Sequence, residues 1–118
     1  MTPKIKLKIN QGETFSYSMQ WKDANDLPIN LTGYYARMQV RKTVDDPIIL
    51  LSLTTENARI IITPLTGTIV LKLTAAETSA ITWISAVYDL ELAIMVSGVE
   101  NVTRLIEGSV SVSNQVTR

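Results

Sequence analysis

From residue 4 to residue 113, apolar and polar positions alternate in short blocks closed by turn-forming residues, and a period of two marks half-buried strands. Over residues 4–9, Ile5, Leu7 and Ile9 oppose Lys4, Lys6 and Lys8, a lysine row that discourages edge-to-edge pairing. Phe15, Tyr17, Met19 and Trp21 then oppose Thr14, Ser16, Ser18 and Gln20. Tyr34, Ala36, Met38 and Val40 oppose Tyr35, Arg37, Gln39 and Arg41. Residues 48–54 read as a strand apolar on both faces, followed by short strands at 59–63 and 68–73. The last third is the most informative. Tyr88, Leu90, Leu92, Ile94 and Val96 are expected inward against Asp89, Glu91, Ala93 and Met95, with a turn at Ser97-Gly98. The returning strand carries Val102, Ile106, Val110 and Val112, and Gly108 is expected to be a bulge or a close approach. The one helical signal is the capping box Thr74-Ala-Ala-Glu77, good for a turn or two to about Ile81, with Trp83 closing one end of the core.

Seven or eight strands joined by short loops, without the helices that parallel crossovers need, predict an all-β fold. The expected architecture is an immunoglobulin-like antiparallel β-sandwich with one short helical turn bridging its sheets; a small β-barrel is the alternative. A single domain spans residues 1–118, long enough to bury roughly two thirds of its unfolded surface. Eleven basic and eleven acidic residues give zero net charge, so no long-range field draws nucleic acid or anionic lipid, and repeated copies can associate. No stretch approaches the roughly 18 apolar residues of a membrane span. The charged, alternating N-terminus is unlike a secretory signal and leads us to expect a cytosolic site of synthesis.

The chain has no histidine and no cysteine, which removes the usual general base, the thiol nucleophile and Cys-ligated metal. No serine sits in a nucleophile-elbow motif. Two carboxylate pairs stand out: Asp45-Asp46 beside Pro47 reads as a turn, and Asp89 with Glu91 as one solvated strand face. Asp23, Asn25 and Asp26 lack the spacing of a calcium loop and read as a side-chain-stabilised turn. The sequons Asn30-Leu-Thr32 and Asn101-Val-Thr103 are chance matches, and Arg37, Arg41 and Lys42 form a small basic patch beside Asp45 and Asp46. These readings predict no enzyme, cofactor or metal.

The apolar residues out of phase are more useful. If Ile49, Leu51 and Leu53 point inward, Ile48 and Leu50 point out, and Ile61 and Val70 do the same. Together they are candidate partner-binding residues, because large exposed apolar patches mark contact surfaces.

Several segments carry a resemblance to known proteins: Gln11-Gly-Glu-Thr-Phe15, Trp21-Lys-Asp23, Leu27-Pro-Ile-Asn-Leu-Thr-Gly-Tyr34, Ala36-Arg-Met-Gln-Val-Arg41, Gly67-Thr-Ile69, Tyr88-Asp-Leu-Glu-Leu92, Arg104-Leu-Ile-Glu-Gly108 and Val116-Thr-Arg118. In this order they resemble small tailed-bacteriophage and prophage virion structural proteins, and in particular the immunoglobulin-like N-terminal module of phage baseplate upper proteins. The resemblance implies a virion protein, made in the host bacterial cytoplasm, that binds other virion proteins and catalyses nothing. Baseplate upper proteins continue into a long receptor-binding or trimerising region, whereas this chain stops after the sandwich. A baseplate or tail adaptor, or a capsid or tail decoration protein, is therefore expected, present as a homo-oligomer or in repeated copies. The alternative is a carbohydrate- or cell-surface-binding module, in which Tyr35 and Trp83 would stand exposed side by side.

Overall fold

The computed structural model describes residues 2–117; Met1 and Arg118, the last residue of the closing match, lie outside them. Eight strands form two sheets. These are β1 (Leu7–Asn10), β2 (Phe15–Gln20), β3 (Tyr35–Arg41), β4 (Leu51–Thr54), β5 (Ile60–Thr63), β6 (Thr68–Leu73), β7 (Ser85–Val96) and β8 (Val99–Ser113). The five-stranded sheet has the order β1-β8-β7-β3-β4 and the three-stranded sheet β2-β6-β5. Consecutive strands cross between sheets from β1 to β2, β2 to β3, β4 to β5 and β6 to β7, which is the connectivity of an immunoglobulin-like sandwich.

One correction to the antiparallel expectation concerns β1, which lies parallel to β8 with Leu7 opposite Val110 and Ile9 opposite Val112. The two strands are the first and last among the described residues and are far apart in sequence, so no tight turn dictates their direction. The strand is also shorter than residues 4–9. Before Leu7 only an isolated bridge joins Lys4 to Glu107.

The core is the interface between the sheets. Ala36, Met38, Val40, Leu53, Leu90 and Leu92 from one sheet meet Ile60, Ile69, Leu71 and Leu73 from the other, and each fully buried aliphatic side chain contributes about 1.5–3 kcal/mol. Helix α1 (Ala75–Ser79) joins β6 to β7 and so bridges the sheets as expected. Its capping box is complete: Glu77 N donates to Thr74 Oγ1 at 3.1 Å, and Thr74 N donates to Glu77 Oε1 at 2.8 Å. A single 3₁₀ turn at Pro64–Thr66, which no capping signal announces, precedes β6.

Several of the segments quoted above are fixed by side-chain contacts. Gly12 N donates to the buried Thr78 hydroxyl at 3.0 Å, and Gln11 Nε2 donates to the carbonyl of Ile81 at 2.9 Å. Leu31 is fully buried, and the Trp21 and Tyr34 rings meet edge to face at 6.3 Å where the chain crosses from β2 to β3. Gly108 is a close approach, as expected: it lies against the backbone of Ile5. The bulge falls elsewhere. Leu90 pairs with Ile106 and Glu91 with Arg104, so Leu105 is the extra residue of β8.

Candidate functional site

Three surfaces stand out. The first is an apolar cleft of about 720 Å³ at the β4 edge, walled by Ile49, Leu50 and Leu51 on one side and Ile81 and Trp83 on the other. Its position follows from the chain around Pro47. Arg41 Nη1 donates to the Asp46 carbonyl at 2.8 Å and Ile48 N donates to Asp46 Oδ1 at 2.9 Å, which ties down the irregular stretch that follows the turn at Val44-Asp45. The β3–β4 ladder starts only where Leu51 meets Val40. Residues 48–50 are therefore outside the strand, and the expected alternation fails there. Ile48 is 64% exposed as expected, but Ile49 is 44% exposed instead of inward, and Leu50 packs against the core instead of outward. Across the floor of the cleft, Arg59 ties the two sides together. Its Nε donates to Glu77 Oε2 at 2.6 Å and its Nη1 to the Ser52 carbonyl at 2.9 Å. The backbone N–H of Thr74, then Arg59, hold the Glu77 carboxyl below the usual carboxylate range.

Ile61 and Val70 form a separate spot. They are direct neighbours across β5 and β6 on the outer face of the three-stranded sheet, next to Ser18 of β2, with Ile61 41% exposed. Of the four candidate residues, Leu50 lines the cleft, Ile48 is exposed just outside its lining, and Ile61 and Val70 lie on the other sheet.

The second surface is a trough of about 670 Å³ on the outer face of the five-stranded sheet, lined by Arg37, Arg41, Asp89, Glu91, Arg104 and Glu107 among others. Asp89 and Glu91 do share a face, yet each meets a guanidinium. Arg37 Nε donates to Glu91 at 2.8 Å, and Arg104 lies 3.5 Å from Asp89 and 3.1 Å from Glu107. Burial pushes the Asp89 carboxyl up, with Arg104 opposing it. Glu100 accepts from the Tyr35 hydroxyl and from Arg37, which lowers its carboxyl and raises the Tyr35 phenol. Arg37 belongs to this cross-strand network, and Arg41 turns to the Asp46 carbonyl and Gln39.

Asp23 Oδ1 accepts from the backbone of Asn25 at 2.8 Å and of Leu27 at 3.1 Å, the geometry of a side-chain-stabilised turn. Among the described residues no group of three acids could hold a metal, and no helix is long and apolar enough to cross a membrane. Tyr35 pairs with Ala93 near the end of β7, whereas Trp83 precedes Ser85 at its start. Each ring is half-buried. They do not stand side by side.

The third surface is the end of the β7–β8 hairpin. The β3 ladder stops at Ala93, and backbone bonds from the N-terminal segment to β8 reach only Glu107. Beyond these points the hairpin projects as a two-stranded arm with Met95, Val96 and Val99 exposed, and Val102, opposite Ala93, is exposed at its base. No family model matches the sequence, and no curated protein matches it. The described surface offers an apolar cleft with a separate aliphatic spot, a salt-bridged sheet face and a projecting arm. Sequence reasoning missed Ile49 and Trp83 as lining residues of one cleft, a juxtaposition that no local pattern encodes. It also placed Val102 on the face of Ile106. The bulge at Leu105 puts them on opposite faces.

Proposed function

We propose that this domain is a non-enzymatic structural component of a phage virion, a baseplate or tail adaptor or a capsid or tail decoration protein, that docks onto neighbouring virion subunits. The observation that carries the docking is the apolar cleft beside β4, lined by the exposed Ile49 and by Trp83, with Ile48 exposed next to Ile49 in the chain. An aliphatic or aromatic side chain from a partner would fill such a cleft and desolvate the lip. The virion assignment rests on the sequence resemblance, and a sandwich whose Glu77, Asp89 and Glu91 carboxylates are tied into salt bridges is compatible with it.

Purified particles of the phage that encodes the chain should contain it at a fixed copy number, measured by quantitative mass spectrometry. A double variant, Ile48→Ser with Ile49→Ser, should fold normally yet be depleted from particles by about tenfold, the effect of losing roughly 1.4 kcal/mol of contact energy. Particles devoid of the wild-type chain would refute the virion role, and undiminished incorporation of the variant would refute docking through the cleft.

A further inference from the structure

We infer that two copies of this chain join antiparallel, edge to edge, through Val99–Leu105 of β8, about a twofold axis at Val102. This deepens the docking reading by naming a second copy of the chain as one partner.

The backbone defines the edge. Ser97 and Gly98 both have positive φ, 51° and 78°, in a two-residue turn, so Val96 and Val99 close the hairpin as a hydrogen-bonded pair. Alternation along the ladder then points the N–H and C=O groups of Glu100, Val102 and Arg104 away from β7. Among the described residues no strand lies on that side of β8 until Glu107, which bonds to Pro3 and Ile5. Such an open edge is a template for strand addition.

The side chains select partner and register. In antiparallel pairing centred on Val102, Glu100 of each copy faces Arg104 of the other, Val102 faces its own counterpart, and Asn101 faces Thr103. Opposite charges directly across two strands stabilise the pair, and like charges destabilise it. Moving the centre to residue 101 or 103 sets Val102 opposite a charged residue and loses both charge pairs. Val102 is also the midpoint of the free stretch, which the turn bounds at one end and the Leu105 bulge at the other. Two arms related by the axis therefore overlap along their whole open length. Each of the three facing pairs exchanges two backbone hydrogen bonds, and the two five-stranded sheets become one. The Arg104 and Glu100 side chains are 50% and 36% exposed, so they are within reach of a partner. A chain of zero net charge raises no long-range barrier to its own copy.

Sedimentation velocity on the full chain over a concentration series should show a reversible monomer–dimer equilibrium. Glu100→Lys places lysine opposite Arg104, and Arg104→Glu places glutamate opposite Glu100. Either variant alone should dimerise at least about tenfold more weakly, since each charge clash occurs twice. Mixed in equal amounts, the two variants are complementary at both crossings and should recover a heterodimer of near wild-type strength. Val102→Pro deletes an outward N–H that makes no bond to β7 and should abolish the dimer while circular dichroism stays native. A wild-type chain that remains monomeric throughout, a folded Val102→Pro chain that still dimerises, or a mixture that stays monomeric overturns the inference. A monomeric chain found in particles leaves the docking reading standing, whereas a dimer absent from particles overturns the virion role alone.

Discussion

Gly108→Ala should detach the N-terminal segment from the sandwich. An added Cβ would stand 2.3 Å from the carbonyl oxygen of Ile5 and 3.1 Å from its carbon, and the φ of 154° is one that residues with a side chain disfavour. The obstacle is backbone, so a rotamer change cannot relieve it. Ile5 is fixed in turn. Its N–H donates to the Glu107 carbonyl at 2.9 Å, its carbonyl accepts from the Tyr88 hydroxyl at 2.6 Å, and Glu107 N donates to the neighbouring Pro3 carbonyl at 3.1 Å. Losing three hydrogen bonds at about 1 kcal/mol each destabilises the fold by about 3 kcal/mol. Tyr88 is only 5% exposed, so water does not readily replace the partner of its hydroxyl. In urea, with a slope of about 1.5 kcal/mol/M, the unfolding midpoint should fall by about 2 M. Tyr88→Phe alone should cost about 1 kcal/mol. The double variant should cost about 1 kcal/mol less than the sum, because both changes remove the same Tyr88–Ile5 bond. A Gly108→Ala protein within about 0.5 kcal/mol of wild type, or strictly additive losses, would refute this account.

Two further predictions follow from the titrating groups and the helix cap. Burial pushes the Tyr88 phenol up to about 12. A raised folded-state value means stability that is complete below the unfolded value of about 10 and lost as pH rises towards 12. Wild type should therefore lose on the order of 2 kcal/mol between these limits, a loss that Tyr88→Phe should not share; parallel alkaline denaturation curves for the two proteins would contradict it. Thr74→Ala removes the hydroxyl that caps α1 and should cost about 1 kcal/mol, or about 4 °C in melting temperature. The same cap lowers the Glu77 carboxyl, so its contribution should be present above the unfolded carboxylate value and fade as pH falls through the folded one. A wild-type chain and a Thr74→Ala chain melting at the same temperature at pH 7 would disprove the cap's role.

The fold was legible wherever one face of a strand meets the core and the other meets water. Ala36, Met38 and Val40 are all buried, and the expected turn at Ser97-Gly98 is where the chain reverses. Reading failed where periodicity had no second face to contrast. Through Ile48-Ile-Leu-Leu51 every position is apolar, so only the hydrogen bonds around Asp46 reveal that the first three lie outside the strand. The bulge was hidden because Val102, Ile106 and Val110 keep even spacing across it; the unassigned Leu105, apolar between Arg104 and Ile106, was the available clue. The contact surfaces were partly legible as residues, in Ile48 and Ile61. The companions that make a cleft, Trp83 and Ile81, come from the link between α1 and β7 and are brought to it only by folding.

The parallel alignment of β1 beside β8 has a consequence for biosynthesis. Leu7 and Ile9 leave the ribosome about a hundred residues before Val110 and Val112, the residues that shelter them. The larger sheet therefore cannot be finished until β8 has been made, and its first strand must wait, apolar side chains in water, for the last one. Contacts of such long sequence separation slow folding and prolong exposure to aggregation. The lysines at 4, 6 and 8, all exposed in the finished domain, keep that waiting segment charged in the interval.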